Sequence, residues 1–154
     1  MLMRKMLFLL LVVISARSFG QIKIEKNVKY QSVNLKKDDK EFLRLKDTAQ
    51  KHMPEFLDLL KKHGADYDNY RFVVKSDFVE DTDHEHMWSQ IVGYSNDTFK
   101  AVFIDSPFKL KNIKNGDKIA IKKTSIEDWA VFRNNERIAG DFSEKYLNSK
   151  SNNN

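Results

Sequence analysis

The sequence predicts an α+β domain in which an amphipathic helix packs on a curved antiparallel sheet, or on a half-open barrel, of five to six short strands. Two observations lead to this prediction. Apolar residues recur every three or four positions over the first part of the domain, and after the stretch GADYDNY their period changes to two. Because the period changes only once, a helical part precedes a run of strands, which is the order of an α+β domain.

The helix is predicted from an apolar stripe along one face, formed by Phe42, Leu45, Ala49, Met53, Phe56 and Leu60. Asp38 and Asp39 favour the start of this helix, and Gly64 favours its end. Pro54 lies inside the stripe, where its missing N–H group and its ring disturb the preceding turn. We therefore expect a kink, or two abutting helices, at this proline.

The strands are predicted from alternating apolar residues bounded by turn residues, at Tyr70 to Val79, His86 to Tyr94, Thr98 to Ile104 and Lys118 to Lys122. The pair Asn115-Gly116 predicts the turn before the last of these. The stretch DWAVFRNNERIAG predicts a final hairpin that turns at Asn134-Asn135. Ser143 to Leu147 then predict a short closing helix.

The domain is predicted to cover residues 37–147, and the first twenty residues have the layout of a secretory signal peptide. Arg4 and Lys5 precede the apolar run Met6 to Ile14, which is shorter than the roughly 20 residues of a membrane-spanning helix. We expect cleavage before Gln21 and export to the periplasm or out of the cell, with an uncleaved anchor as the alternative. Residues 21–36 are expected to form a loose lead-in, and residues 148–154 a disordered tail.

Cysteine content and charge narrow the classes of function. The chain has no cysteine, so we expect neither the lipid anchor of a bacterial lipoprotein, nor disulfides, nor a cysteine nucleophile. The net charge is +5, but three of these charges lie on Arg4, Lys5 and Arg17, and the remaining chain carries only +2. This balance does not favour nucleic-acid binding. Six lysines cluster in the sequence: Lys109, Lys111, Lys114, Lys118, Lys122 and Lys123. We interpret this cluster as a solvated face, with a binding site for an anionic ligand or surface as the alternative.

Six short motifs follow one another between about Ala49 and Leu147: YRFVVKSDF, EHMW, FKAVFIDSP, IKNGDKIAI, IEDW and GDF. In order and spacing they resemble the bacterial DUF2314 family, the YegJ-like proteins. The family pattern has glycines near Ala101 and beside Gly140, where this chain has Ala101 and Asp141. The function of the family is unassigned. The resemblance therefore implies the domain boundaries and an α+β fold, and it brings no catalytic residues.

The stretch EDTDHEHMW offers a metal site as one alternative. If a strand begins at His84, then His84, His86 and Trp88 share one of its faces. A His-x-His pair can supply two zinc ligands, with a third from Asp83, Asp81, His63 or Asp128. A second motif with metal-ligand spacing is missing from the sequence. We therefore favour the polar start of a buried strand and predict no cofactor.

A pair of carboxylates offers a second alternative. Glu85 and Asp128 can act as general acid and base if their two strands are neighbours. The simpler interpretation, which we favour, is that both carboxylates accept hydrogen bonds from backbone N–H groups at strand ends or turns. The sequence contains neither a Gly-x-Ser-x-Gly motif nor a glycine-rich phosphate loop.

The function predicted from these observations is an exported binding module without catalytic machinery, either a toxin-neutralising (immunity-like) protein or a partner protein of the bacterial envelope. Its partner is expected to be a protein, with no nucleic acid, and with membrane contact only through an uncleaved leader. Trp129 follows two acidic residues; we favour simple packing for it, with a partly exposed position on a binding surface as the alternative. The predicted binding surface consists of Glu85, His86, Trp88, Asp128 and Trp129. The alternative is a hydrolase that uses a metal at His84, His86 and Asp83, or the carboxylates of Glu85 and Asp128.

Overall fold

The computed structural model describes residues 39–151, which form a six-stranded antiparallel sheet with three helices. The helices are α1 (Lys40–Lys51), α2 (Met53–His63) and α3 (Glu144–Ser151). The strands are β1 (Tyr70–Glu80), β2 (Asp83–Ser95), β3 (Thr98–Phe103), β4 (Lys118–Lys122), β5 (Ile126–Arg133) and β6 (Glu136–Gly140). The predicted α+β class is confirmed, and the sheet is open. The predicted signal peptide and lead-in lie outside the described residues.

The break between α1 and α2 follows from Pro54. Helix α1 begins after Asp39, whose carboxylate accepts the N–H group of Phe42 at 3.0 Å, and it ends at Lys51, with His52 as the capping residue. Helix α2 begins at Met53, so that Pro54 lies in its first turn, where the missing N–H group would have no helical partner anyway. The expectation of two abutting helices at the proline is confirmed.

The order of the strands across the sheet is β4-β3-β2-β1-β5-β6. Strands β1 and β2 pair along most of their length, as far as Glu80 opposite Asp83. Strand β5 leaves β1 at Ser76, and β3 leaves β2 at Ser89. The end of the β1–β2 hairpin, residues 77–88, therefore extends beyond both neighbouring strands, and we call it the hairpin arm.

The main core lies between the helices and one face of the sheet. Phe56 is fully buried, and its ring contacts those of Phe72, Phe99 and Trp129 at centroid distances of 5.3–5.8 Å. The indole N–H of Trp129 donates to the carbonyl of Ala49 at 2.9 Å. Trp129 is 0% exposed, so the favoured interpretation of packing is confirmed and the alternative of a partly exposed position is wrong. Its side chain faces the helices, and the ring of Phe142 packs against it as well, at 5.4 Å.

Helix α3 is longer than predicted. It runs from Glu144 to Ser151, so that residues 148–151, which were expected to belong to a disordered tail, are helical. The hydroxyl group of Tyr146 donates to the carboxylate of Asp39 and thereby ties α3 to the start of α1. Residues 152–154 lie outside the described part of the chain. Among the described helices, none has the length and apolar character needed to cross a bilayer.

Candidate functional site

A long loop between β3 and β4, residues 104–117, is held by a buried carboxylate of the hairpin arm. Glu85 is 5% exposed and accepts three consecutive backbone N–H groups, from Phe108 at 2.9 Å, from Lys109, and from Leu110 at 3.0 Å. Burying a carboxylate is costly unless donors surround it, and these three groups meet that requirement. The favoured interpretation of Glu85, as an acceptor of backbone N–H groups, is confirmed.

A second carboxylate continues this pattern along the same loop. Glu80, at the end of β1, accepts the backbone N–H groups of Lys111 at 2.7 Å and of Asn112 at 3.0 Å. It also accepts the side-chain amide of Asn112 at 2.9 Å. Glu85 and Glu80 together hold five consecutive N–H groups, those of residues 108–112. We call residues 104–117 the clamped loop.

The start of the clamped loop is also fixed to the rest of the fold. Asp105 accepts the backbone N–H group of Trp88 at 2.6 Å. The side-chain amide of Asn115 donates to the carbonyl of Ile104 at 2.5 Å. Loops of this length without secondary structure are uncommon in compact domains and are usually functional. The clamp therefore gives a long connection one defined backbone path.

The clamped loop exposes an aromatic ring and lines a cleft. Phe108 is 83% exposed, the largest value among the exposed large hydrophobic residues of the described chain. Beside the loop lies a cleft of about 420 Å³, within the usual range of ligand sites. The cleft is lined by side chains from the arm, the loop and the start of β4: Phe78, Val79, Glu80, Leu110, Asn112, Ile113, Asp117, Lys118 and Ile119.

The two histidines of the arm are each paired with a different carboxylate. The Nδ1 atom of His84 lies 2.8 Å from Asp77, and that of His86 lies 2.5 Å from Glu127. The second oxygen of Glu127 lies 3.3 Å from the ammonium group of Lys46. Burial raises the pKa of Glu127, but the hydrogen bond and charge of His86, together with Lys46, outweigh this effect and hold the pKa below its ordinary value.

This arrangement does not favour the metal alternative of His84, His86 and Asp83. Each histidine has its own carboxylate partner, and Asp83 lies 3.5 Å from the ammonium group of Lys109. Across residues 39–151, no group of three or more histidine, aspartate or glutamate side chains is placed to hold one metal ion.

Asp128 also anchors a turn. It is fully buried and accepts the backbone N–H groups of Trp129 at 2.8 Å, Phe142 at 3.1 Å and Ser143 at 2.8 Å. The hydroxyl group of Ser143 donates to it at 2.5 Å. These bonds fix the turn between β6 and α3. The favoured interpretation of Asp128, as an acceptor of backbone N–H groups, is confirmed as well.

The acid–base alternative required Glu85 and Asp128 to lie on neighbouring strands, and this expectation is wrong. Strand β1 lies between β2, which carries Glu85, and β5, which carries Asp128. Glu85 is opposite Phe78 on β1, whereas Asp128 is opposite Lys75. Glu85 instead binds the clamped loop, and Asp128 binds the turn between β6 and α3.

The residues predicted to form a binding surface do not form one. Trp129 and Asp128 are fully buried, and Trp88 and Glu85 are nearly so. Only His86 is appreciably accessible, with 25% of its side chain exposed, and its ring packs edge-on against Phe42 at 5.3 Å. The two acids before Trp129 suggested exposure, but Asp128 accepts backbone N–H groups inside the protein, and Glu127 binds the side chains of His86 and Lys46.

A second polar cluster lies on the face of the sheet opposite the main core. Lys75 is buried there between its cross-strand partners Trp88 and Asp128, with its ammonium group 5.2 Å from the centre of the Trp88 ring. Burial lowers the pKa of Lys75, and the acids Asp128, Asp141, Asp105 and Glu127 oppose this shift. Burial also raises the pKa of Asp105 to about 6. The sequence does not indicate this cluster, because a lysine in a strand ordinarily occupies a solvated position.

Phe108 and Glu80 were likewise not among the predicted site residues. A signal for Phe108 is present in SPFKLK, where an aromatic residue follows a proline within a polar, lysine-rich stretch. Glu80 carries no comparable signal, because its loop partners lie 31 and 32 positions away in the chain.

The motifs described in the sequence analysis bind one another in the structure. The backbone N–H group of Trp88 in EHMW donates to Asp105 of FKAVFIDSP, and Glu85 of EHMW accepts the N–H group of Phe108, which directly follows that motif. Asp128 of IEDW accepts the N–H group of Phe142 in GDF. At the position where the family pattern has a glycine, Asp141 adopts a left-handed backbone with φ of 64°. Fold and site thus define a class: an α+β domain whose loops are held by buried carboxylates.

The chain belongs to the DUF2314 family, described as uncharacterized protein conserved in bacteria, whose model matches residues 39–154. No curated protein and no solved structure shows a significant match to the chain. The match therefore shows the family to which this domain is related, and it leaves the function of the domain open.

Proposed function

We propose that this domain is a non-catalytic binding module that recognises a protein partner through the clamped loop, with Phe108 as its main contact. The single observation that carries this proposal is the 83% exposure of Phe108 on a loop whose backbone is held at five consecutive positions. Isolated exposed hydrophobic residues are common on protein surfaces. An exposed aromatic residue on a fixed loop is different, because the loop has little conformational freedom left to lose on binding.

The chemistry around the loop supports binding in preference to catalysis. The two carboxylates considered as acid and base, Glu85 and Asp128, are occupied by backbone N–H groups. Each carboxylate is thereby engaged inside the protein by its own loop or turn. Aromatic side chains, in contrast, are enriched among the residues that dominate the binding energy of interfaces.

The leader-like residues 1–20 support a partner in the bacterial envelope or outside the cell. A toxin-neutralising protein and an envelope partner protein are the two forms of this proposal. Both require a protein surface that presents the clamped loop, and neither requires a cofactor.

Site-specific photo-crosslinking in the producing bacterium tests the proposal. Phe108 is replaced by the photoreactive analogue p-benzoylphenylalanine, and the matched control carries the same analogue at Tyr67, which is 44% exposed and lies away from the loop. We expect a discrete crosslinked species from position 108 and none from position 67. Equal crosslinking from both positions, or none from position 108, would contradict the proposal.

A stability measurement accompanies the crosslinking. Phe108→Ala is expected to change the free energy of unfolding by no more than about 0.5 kcal/mol, because an exposed side chain contributes little to folding. A larger loss would show that the ring packs within the protein and would remove the reason for its proposed role.

A further inference from the structure

We propose that the open edge of β4 binds an extended strand of the partner in which acidic and apolar residues alternate. This inference rests on the proposed function and names the chemistry of the partner. The edge and the clamped loop are contiguous in the fold, since Lys118 and Ile119 of β4 line the cleft together with Leu110 and Ile113 of the loop.

The backbone of β4 has hydrogen-bonding groups available on its outer side. Its register with β3 places Ile119 opposite Ala101 and Ile121 opposite Phe99. Two backbone hydrogen bonds flank this pairing, from the N–H group of Phe103 to the carbonyl of Asp117 and from the N–H group of Lys123 to the carbonyl of Asp97, both at 2.9 Å. In an antiparallel pair the bonded residues recur at every second position, so Ile119 and Ile121 bind β3.

The alternate residues of β4, namely Lys118, Ala120 and Lys122, therefore direct their N–H and C=O groups away from β3. Strand β4 is the end strand of the sheet, and within residues 39–151 no hydrogen bond occupies these outward groups. Such an edge is the surface to which an added strand binds in β-augmentation.

The side chains of β4 differ between its two faces. Ile121 is buried in the main core and Ile119 lines the cleft, whereas Lys118, Ala120 and Lys122 are exposed on the opposite face. On an added strand, residues beside Ile119 would enter the cleft and residues beside the two lysines would face ammonium groups. Apolar and opposite-charge cross-strand pairs stabilise a sheet. A strand in which acidic and apolar residues alternate would therefore form favourable pairs on both faces of β4.

A third lysine strengthens the preference for acidic residues. Lys100 on β3 is directly opposite Ala120, so it lies on the same exposed face as Lys118 and Lys122. Within the described chain, none of these three ammonium groups has a carboxylate within ion-pair distance, in contrast to Lys123, which lies 2.6 Å from Asp97. Lysines on an edge also repel the same edge of a second copy. The edge therefore disfavours self-association and accepts an acidic strand.

Peptide binding to the purified protein tests this inference. The probes are two peptides of the same length, one alternating glutamate with valine and one alternating lysine with valine, and binding is followed by changes in backbone amide NMR signals. We expect the glutamate peptide to bind at least tenfold more tightly and to shift the signals of β4. Ala120→Pro removes an outward N–H group without removing a bond to β3, so it is expected to abolish this binding while the fold is kept.

A charge reversal separates edge recognition from general attraction. The double variant K118E/K122E is expected to reverse the preference, so that the lysine peptide binds more tightly. The control K61E/K62E makes the same change in net charge on exposed lysines at the end of α2, and it is expected to keep the original preference. If both double variants respond alike, or if neither peptide binds, the inference is overturned.

Failure of this inference is distinguishable from failure of the proposed function. If position 108 crosslinks to a partner even in the Ala120→Pro variant, the loop binds and the edge does not. If the glutamate peptide binds β4 but position 108 yields no crosslink, the edge binds and the proposed role of Phe108 falls. Phe108→Ala is expected to leave the affinity for the glutamate peptide within twofold of its original value.

Discussion

Replacement of Glu85 by alanine is expected to release the clamped loop while the strands remain in place. The carboxylate of Glu85 accepts the backbone N–H groups of Phe108, Lys109 and Leu110, and the variant leaves all three donors without this acceptor. Glu80 still holds the next two N–H groups of the loop, so only the first part of the clamped segment is expected to open.

The expected loss of stability follows from the fate of these three donors. A hydrogen bond to a charged group contributes about 1.5–3 kcal/mol, so three bonds set a gross limit of roughly 5–9 kcal/mol. Two effects reduce this loss of free energy. The variant removes a buried charge, and Phe108 and Lys109 are exposed, so their N–H groups can bind water. Leu110 is buried, so its N–H group cannot bind water. We expect a net loss of about 2–4 kcal/mol.

The loss is measured by urea unfolding together with amide hydrogen exchange of the folded protein. Exchange is expected to accelerate at residues 108–110 in Glu85→Ala. The matched control is Asp128→Ala, which removes the same kind of buried acceptor from another turn and is expected to expose Phe142 and Ser143 instead. If Glu85→Ala folds with unchanged exchange at residues 108–110, or loses less than about 1 kcal/mol, the clamp does not hold the loop.

Three further perturbations test the core, a turn and a buried acid. Trp129→Ala is expected to lose about 3–5 kcal/mol in urea unfolding, because the indole is fully buried; a near-neutral result would contradict its place in the core. Gly140→Ala is expected to yield little folded protein on purification, because Gly140 has φ of 80° and a Cβ atom there would lie 2.1 Å from the carbonyl oxygen of Trp129. Burial raises the pKa of Asp105 to about 6, so between about pH 4 and 6 the folded chain keeps a proton that the unfolded chain has lost, and stability falls as pH rises. Asp105→Asn is expected to remove a pH-dependent difference of about 2–3 kcal/mol, measured by urea unfolding at pH 4 and pH 7; an unchanged pH dependence would exclude Asp105 as its source.

The elements of the fold follow from local patterns and were therefore predictable. The apolar stripe gives the helices, the change of period gives the strands, and Pro54 gives the break between α1 and α2. The turn at Asn134-Asn135 is confirmed, and both residues have positive φ values, a conformation that asparagine tolerates better than most residues.

The site depends on contacts between distant parts of the chain and was not predictable in the same way. The insertion of β1 between β2 and β5 separates Glu85 from Asp128, and no local pattern indicates this strand order. One signal was nevertheless present. Glu85 shares its face of β2 with Met87, and a carboxylate in a core-facing position must find donors, which a long loop nearby can supply.

The carboxylate clamp recognises the main chain of the loop almost exclusively, which makes the loop a natural display scaffold. Glu85 and Glu80 bind N–H groups that every residue except proline possesses. The exposed side chains at positions 108, 109 and 111 can therefore be varied while the backbone path is retained. On the proposed function, substitution in this short stretch would change the partner, and a combinatorial library at the three positions would sample binding specificities on one unchanged framework.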